Sequence, residues 1–228
     1  MNIIALDSSS GVAGAAIYSE GRIIGEYSLN HKMNHSRTLM CELEELAGRL
    51  SFELNTADAV AVARGPGSFT GLRIGVAAAK GLAMAIGRPM VMVPTLEGMA
   101  CRYQGDSRLI VPMLDARRDQ IYSGIYRFRG KESECLYDAE ALSVTSQIER
   151  LNGLGGEAVL MGDGCDAFAR EIEEQLKIPY MVAPVHMRYQ SAAAVAVWAA
   201  EHFEPVPAED AAPEYIRPSQ AERVKNGG

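Results

Sequence analysis

The chain has 228 residues, of which 48% are hydrophobic, and carries a net charge of −7. This length suits one large domain or two small ones, and the acidic balance excludes a protein that binds nucleic acid through a broad basic face. The N-terminal apolar run stops at Asp7, and no apolar run approaches the ~20 residues of a membrane helix. The cysteines form no CxxC pair. These features predict a cytoplasmic chain without a membrane segment.

The predicted elements begin with three strands and then alternate between helices and strands. Leu39, Leu43, Leu46 and Leu50 recur at spacings of four and three, which predicts an amphipathic helix. A second helix is expected to end at Gly87. The predicted ranges are 2–7, 14–19, 22–30, 35–50, 59–64, 71–87, 90–94 and 95–103.

The same order of elements starts again at residue 108. The predicted ranges there are 108–115, 120–127, 134–142, 145–151, 158–161, 166–176 and 191–203. Leu6-Asp7 corresponds to Leu114-Asp115, and residues 63–67 correspond to residues 160–164. We therefore predict an α/β chain of two halves: residues 1–104, which carry the two long helices, and residues 105–228, which end in an extended tail from Pro205.

This duplicated order is that of the ribonuclease-H-like halves of the actin, Hsp70 and sugar-kinase (ASKHA) fold, which face each other across a cleft. Ligands of open α/β sheets lie outside the carboxyl ends of the strands, where Asp7 and Asp115 stand. The residues predicted to form this cleft, as a vestigial nucleotide site, are Asp7, Ser8, Ser9, Gly65, Gly67, Ser68, Asp115, Gly162 and Gly164.

The glycine turn at residues 65–71 is the motif with the most specific composition in the sequence. It is not a P-loop, because no Lys follows the second Gly, and it is not a dinucleotide fingerprint, because Thr70 stands where a glycine is needed. Two interpretations remain level: exposed N–H groups that bind an anion, or glycines that allow close packing. Residues 115–118, a carboxylate followed by two arginines, fit either a site or the charged rim of a turn.

The helix after the turn is apolar on all sides, with small residues and few charges. Such a helix is normally buried on both sides, which favours a partner protein bound through a bundle with the Leu39–Leu50 helix; the alternative is that the C-terminal half covers it. The predicted interface consists of Leu39, Leu43, Leu46, Arg73, Ile74, Ala77, Ala78, Gly81, Leu82 and Ala85.

Other catalytic and metal patterns are weak. His31 and His35 have the HxxxH spacing of metal ligands, but no nearby Asp, Glu or Cys completes a set. No GxSxG motif accompanies a Ser-His-Asp combination. We predict no metal site in this chain.

Several motifs together resemble the TsaB (YeaZ) family over nearly the whole chain. The most specific are GPGSFTGLRIG at residues 65–75 and LDARRDQIYSGIY at residues 114–126. LDSS at 6–9, NHS at 34–36, KGLA at 80–83, PTLEGMA at 94–100 and PEYIRP at 213–218 support them.

The resemblance implies a non-catalytic scaffold and activator in tRNA threonylcarbamoyladenosine synthesis. It implies that the chain forms a heterodimer with the catalytic paralogue TsaD through the helices at residues 36–50 and 71–87, and a homodimer when it is alone. It also implies that the heterodimer works with the ATPase TsaE and that TsaC makes the threonylcarbamoyl adenylate. No cofactor is expected for this chain, ATP is a candidate only at the level of the complex, and tRNA is expected only through the complex.

The resemblance also implies the absence of a catalytic metal. TsaD carries HLEGH, whose two histidines hold a metal, and this chain has Thr95 and Met99 at those positions. Alternative functions are an independent ATP-dependent phosphotransferase that uses Asp7 and Asp115, and a metallopeptidase of the wider family, which the loss of both histidines disfavours. Arg217, Arg223 and Lys225 are the candidates for a direct contact with tRNA.

Overall fold

Two mixed β-sheets form the framework of the computed structural model, which describes residues 1–31 and 35–217. The first part of the chain contains β1 (Asn2–Asp7), β2 (Ala13–Ser19), β3 (Arg22–Leu29), α1 (His35–Leu50), β4 (Ala59–Gly65), α2 (Phe69–Ile86), β5 (Met90–Pro94) and α3 (Thr95–Ala100). The second part contains β6 (Leu109–Asp115), β7 (Gln120–Arg129), β8 (Glu132–Ser143), α4 (Val144–Leu154), β9 (Ala158–Met161), α5 (Gly164–Ala167), α6 (Ala169–Gln175), β10 (Tyr180–Val182), α7 (Val185–Arg188), α8 (Ala192–Glu201) and β11 (Pro205–Val206). Short 3-10 turns lie at Leu54–Thr56, Cys101–Tyr103 and Ala208–Asp210.

The two sheets repeat one topology. The first has the strand order β11-β5-β4-β1-β2-β3 and the second β10-β9-β6-β7-β8. In each, three consecutive strands are antiparallel, and the first of them also pairs in parallel with the strand that follows the next helix. The predicted duplicated ribonuclease-H-like fold is confirmed.

Most predicted elements lie within a few residues of their expected positions, and the differences have local causes. Helix α2 begins two residues early because the Ser68 hydroxyl accepts the Gly71 N–H as an N-cap, and it ends where Gly87 adopts a left-handed conformation. The predicted helix at 166–176 is divided into α5 and α6 at Phe168, whose φ is −120°. Strand β10 was not predicted, because three half-buried residues are too few to show a period.

The predicted halves exchange segments. Helix α8 was predicted in the C-terminal half, but its buried face, Val195, Ala196 and Ala199, packs on the first sheet against residues such as Ile3 and Ala61. Strand β11 pairs with β5 at the edge of the same sheet, so that the start of the tail is part of the first sheet. Each sheet needs a helical layer on both faces; α1 and α2 supply one layer of the first sheet and α8 the other.

Helix α3 makes the reverse exchange. It belongs to the N-terminal half by sequence, but Leu96 and Met99 pack in a core cluster with Ile110 and Tyr126 of the second sheet. The boundary predicted near residue 105 therefore separates β1–β5 from β6–β10, but β11 and the helices α3 and α8 cross it. Residues 218–228, with Arg223 and Lys225, lie outside the described part of the chain.

Helix α2 has 18 residues and is apolar enough, by length and composition, to cross a membrane. In the fold it packs on β4 and against α1, with Leu72, Val76 and Ala79 buried. A core helix of a globular domain satisfies the same criterion, so that this property does not by itself indicate a membrane span.

Candidate functional site

A cavity of about 420 Å³ lies between the halves at the carboxyl ends of β1, β4 and β6. Its walls come from the turns that follow these strands, from Asp163 and from the C-terminal segment that contains Glu214 and Arg217. The position agrees with the general rule for ligand sites in open α/β sheets. Of the nine residues predicted for this cleft, Gly67, Ser68 and Asp115 line the cavity, whereas the other six do not.

The glycine turn packs directly on the serine turn that follows β1. The Ser68 N–H donates to the Ser9 carbonyl oxygen at 2.6 Å. A Cβ atom on Gly67 would lie 2.2 Å from the Ser9 oxygen, and one on Gly71 would lie 2.0 Å from the Ser8 oxygen. No side chain fits at such distances, so close packing accounts for these two glycines.

Three N–H groups around this turn have partners within the chain. Besides the Ser68 N–H, the Gly71 N–H donates to Ser68 Oγ at 3.3 Å, and the Gly65 N–H donates to Thr95 Oγ1 at 3.1 Å. These groups are therefore not available to an anion. The packing interpretation therefore accounts for Gly67 and Gly71, while anion binding at the start of α2 stays a prediction.

Asp7 is buried behind the serine turn and does not line the cavity. Burial raises the pKa of its carboxyl group to about 6, while the hydrogen bond from the Ser9 N–H, at 2.8 Å, opposes that rise. A carboxylate in this position supports the turn and is not presented to a ligand in the cavity.

Asp115 lines the cavity, but its carboxylate is engaged locally. One oxygen accepts the Arg117 N–H at 2.7 Å, and the other lies 3.5 Å from Arg117 Nη1. Asp163 joins the two halves: it accepts from Ser10 Oγ at 2.5 Å and from the Asp115 N–H at 2.9 Å. Asp163 was not among the predicted site residues, although it stands between Gly162 and Gly164, which were.

Gly162 and Gly164 are needed for a close approach of the same kind. Their Cβ atoms would lie 2.1 and 2.8 Å from the Met113 carbonyl oxygen. Both glycines therefore allow the turn after β9 to pack on β6, which places Asp163 at the cavity.

The C-terminal segment closes one side of the cavity. The Glu214 N–H donates to the Arg64 oxygen at 2.7 Å, and Glu214 Oε2 lies 2.9 Å from Arg64 Nε. Tyr215 packs on Phe69 with ring centroids 4.7 Å apart, and its hydroxyl accepts from Arg73 Nε at 3.0 Å. The PEYIRP motif was the one sign of this contact in the sequence, and its last residue lies outside the described part of the chain.

The two positions that the resemblance assigned to metal ligands are structural here. Thr95 is buried and its hydroxyl accepts the Gly65 N–H, and Met99 is buried in the core of the second half. Residues 1–31 and 35–217 contain no group of three His, Cys, Asp or Glu side chains placed to hold a metal ion. The side chain of His35, the second residue of the HxxxH pattern, lies outside the description.

The predicted interface residues separate into a buried and an accessible set. Leu39, Leu43, Leu46 and Leu82 are buried in the core of the first half, so that the interface prediction has to be corrected at these four positions. The leucine spacing identified the face of α1 that covers its own sheet. The exposed positions are Arg73, Ala77, Gly81 and Ala85, and Ile74 and Ala78 are half-buried.

Two exposed methionines on these helices were not predicted. Met84 is 62% exposed on α2, and Met40 is 38% exposed on α1. Methionine adapts its shape and is common at protein-binding surfaces. We call the exposed set Met40, Arg73, Ala77, Gly81, Met84 and Ala85 the helix surface.

Comparisons with known proteins agree on one family. Residues 22–206 match the family described as TsaD, tRNA N6-adenosine threonylcarbamoyltransferase. The chain is 32% identical over 176 residues to the tRNA threonylcarbamoyladenosine biosynthesis protein TsaB of Bacillus subtilis, with 77% of each chain covered. It is 30% identical over 177 residues to the Escherichia coli K12 protein of the same name, with 74% of each covered.

A solved structure gives the same result. The chain superposes with a TM-score of 0.79 and 26% identity on a protein described as similar to peptidase YeaZ from Pseudomonas aeruginosa, covering 95% of this chain and 99% of that one. The family resemblance found in the sequence motifs is therefore confirmed.

Proposed function

Because the chain belongs to the TsaD family and, within it, to the TsaB proteins of tRNA threonylcarbamoyladenosine biosynthesis, we propose that it is the non-catalytic partner subunit of a TsaD paralogue. In this proposal it forms a heterodimer with TsaD, works with TsaE in the cytoplasm and meets the tRNA as part of that complex. Alone, it forms a homodimer through the same surface.

The observation that carries the proposal is the role of Thr95 and Met99. Thr95 Oγ1 already accepts the Gly65 N–H, and the Met99 thioether is enclosed by apolar side chains. A neutral hydroxyl and a buried thioether are poor ligands for the metals that activate phosphate and carbonyl oxygens. These residues stabilise the fold, which supports a subunit that leaves the transfer reaction to its paralogue.

The helix surface supports the partner role. Ala77, Gly81 and Ala85 recur every four residues along α2 and leave its outer side without bulk, so that another helix could approach closely. Met40 and Met84 add exposed apolar area on the same pair of packed helices. Exposed apolar residues grouped in this way are typical of a protein interface.

The phosphotransferase alternative is not favoured by the same geometry. It requires Asp7 and Asp115 to face a magnesium nucleotide. Asp7 is instead buried behind Ser9, and the Asp115 carboxylate is bound within its own turn. Fold similarity to kinases alone is weak support for an activity.

Reconstitution tests the proposal. Unmodified tRNA would be incubated with TsaC, TsaD, TsaE, ATP, threonine and bicarbonate, with and without this chain, and the modified adenosine would be quantified. We expect modification only when the chain is present, and none from the chain without TsaD.

Two results would contradict the proposal. Equal modification in the absence of this chain would exclude a required subunit. Modification by the chain without TsaD would exclude a non-catalytic role. Co-purification of the tagged chain with TsaD from its own cell provides an independent check of the partner.

A further inference from the structure

The β6–β7 hairpin turn has an unusual composition for its backbone conformation. Arg117, Arg118 and Asp119 have φ values of 62°, 55° and 56°, which places three consecutive residues in the left-handed region. Gly, Asn and Asp are the residues that hairpin turns favour there. The backbone conformation of the turn therefore does not explain why two arginines occupy these positions.

The turn itself does not depend on the arginine side chains. The Ala116 N–H donates to the Gln120 oxygen at 2.9 Å, and Asp115 Oδ1 accepts the Arg117 N–H. In both bonds the donor is a backbone N–H, and the acceptors are the Gln120 backbone oxygen and the Asp115 carboxylate. Asparagine would allow the same turn, so the backbone does not require arginine here; the Arg117 side chain contacts the edge of the Asp115 carboxylate, at 3.5 Å, and is otherwise exposed.

These arginines and one from the C-terminal segment meet at the mouth of the cleft. Arg117, Arg118 and Arg217 all line the same cavity, and Arg217 Nη1 lies 3.5 Å from the Ala116 oxygen. The Arg117 side chain is 87% exposed and therefore extends outward from the cleft. Within the described part of the chain, Arg118 forms no ion pair with a carboxylate.

The carboxylates that line the cavity already have hydrogen-bond or ion-pair partners. Asp163 accepts from Ser10 and from the Asp115 backbone, Glu214 lies beside Arg64, and the Asp115 carboxylate lies beside Arg117. Arg118 and Arg217 therefore present positive charge that these carboxylates do not neutralise by direct contact. Guanidinium groups bind phosphate oxygens with paired N–H donors.

We propose that Arg117, Arg118 and Arg217 bind phosphate groups at the cleft mouth, and that these phosphates belong to the backbone of the tRNA. The outward reach of Arg117 fits a phosphate on a macromolecular surface better than one enclosed in the cavity. The assignment rests on the proposed role in the complex, and it differs from a broad basic face because it involves one small group of residues.

The test uses the full chain in complex with TsaD and a tRNA transcript labelled with a fluorophore. Binding would be measured by anisotropy from low to moderate salt for wild type, the double variant Arg117→Asn/Arg118→Asn, and Arg217→Gln. The control is Arg170→Gln, which removes an arginine of similar exposure, 84%, on α6.

We expect weaker binding by the double variant and a decrease of about two in the slope of log K against log salt, because each arginine neutralises one phosphate. Arg217→Gln should lower the slope by about one. The control should not change it. Thermal melting of the double variant should be no lower than that of wild type, because Asn suits the left-handed conformation.

An unchanged slope in the folded double variant would overturn the proposal. A second arm separates the sources of phosphate by calorimetry with ATP and with inorganic phosphate. If either binds wild type and not the double variant while tRNA binding is unaffected, the RNA assignment is wrong. Absence of tRNA modification with wild type would instead reject the proposed function, which this binding assay does not measure.

Discussion

Ser10 and Asp163 form a hydrogen bond across the cleft, with 2.5 Å between Ser10 Oγ and Asp163 Oδ2. Ser10 follows the first strand of one half, and Asp163 follows a parallel strand of the other. Because Asp163 Oδ1 also accepts the Asp115 N–H, one carboxylate connects the turn after β1 to the end of β6.

Removing this link should cost stability. We expect Asp163→Ala to lower the free energy of unfolding by about 1–3 kcal/mol, because the Asp115 N–H and the Ser10 hydroxyl both lose their acceptor. Ser10→Ala should cost about 1 kcal/mol. Urea denaturation of both single variants and the double variant gives the coupling energy, and strict additivity would show that the two residues do not interact.

Substitution of alanine for glycine should change the stability of the fold in opposite directions at two positions that the sequence does not distinguish. Gly71→Ala should destabilise the fold by about 1–3 kcal/mol or more, because the Cβ atom would lie 2.0 Å from the Ser8 oxygen. Gly48→Ala on α1 should stabilise by about 0.5–1 kcal/mol, because nothing lies within 4 Å of its Cβ position and alanine favours helix. Thermal melting distinguishes them, and an equal shift for both would contradict the packing role of the turn.

The helix surface can be tested by introducing charge. Ala77→Glu should prevent association with TsaD and with a second copy of the chain while the monomer stays folded, because an unpaired carboxylate would be buried in the interface. Ala169→Glu, an exposed alanine on α6, is the control. Sedimentation measures assembly and circular dichroism measures folding. An intact dimer of the Ala77 variant would show that the interface lies on another surface.

Leu39→Glu should behave differently from Ala77→Glu. Leu39 is buried in the core of the first half, so a carboxylate there should unfold the chain and would not report on the interface. A folded, monomeric Leu39 variant would show that this side chain is available at the surface.

The buried Asp7 predicts a specific dependence of stability on pH. Because burial raises its pKa from 3.8 to about 6, the folded chain holds a proton between these pH values that the unfolded chain releases. The contribution of Asp7 to stability is therefore most favourable below about pH 4 and is lost as the pH rises through about 6.

Asp7→Asn should remove this dependence. Relative to wild type, the variant should gain up to about 3 kcal/mol in unfolding free energy between pH 4 and pH 7, since one pKa unit corresponds to about 1.4 kcal/mol. Urea denaturation across this range measures the gain, with the exposed Asp210→Asn as the control. A difference from wild type that is independent of pH would show that Asp7 is ionised in the folded chain throughout.

The duplicated strand order, the bounds of α1 and the family could all be predicted from the sequence. These features depend on local patterns: leucine spacing, buried strand runs and motifs such as GPGSFTGLRIG. The sequence also shows that Thr95 and Met99 replace the two metal-binding histidines of the paralogue, because this difference concerns residue type and not position in space.

Which face of each helix or strand is buried, and which segment covers it, became clear only from the three-dimensional structure. The leucines of α1 face their own sheet and not a partner, and α8 covers the first sheet although it follows the second. The serine turn beside Asp7 contacts the glycine turn, which lies more than fifty residues later in the sequence. Arg217 contacts the Ala116 oxygen in the turn after β6. Such relationships arise from the packing of segments far apart in the chain, and periodicity reports that a face is apolar without identifying the surface that covers it.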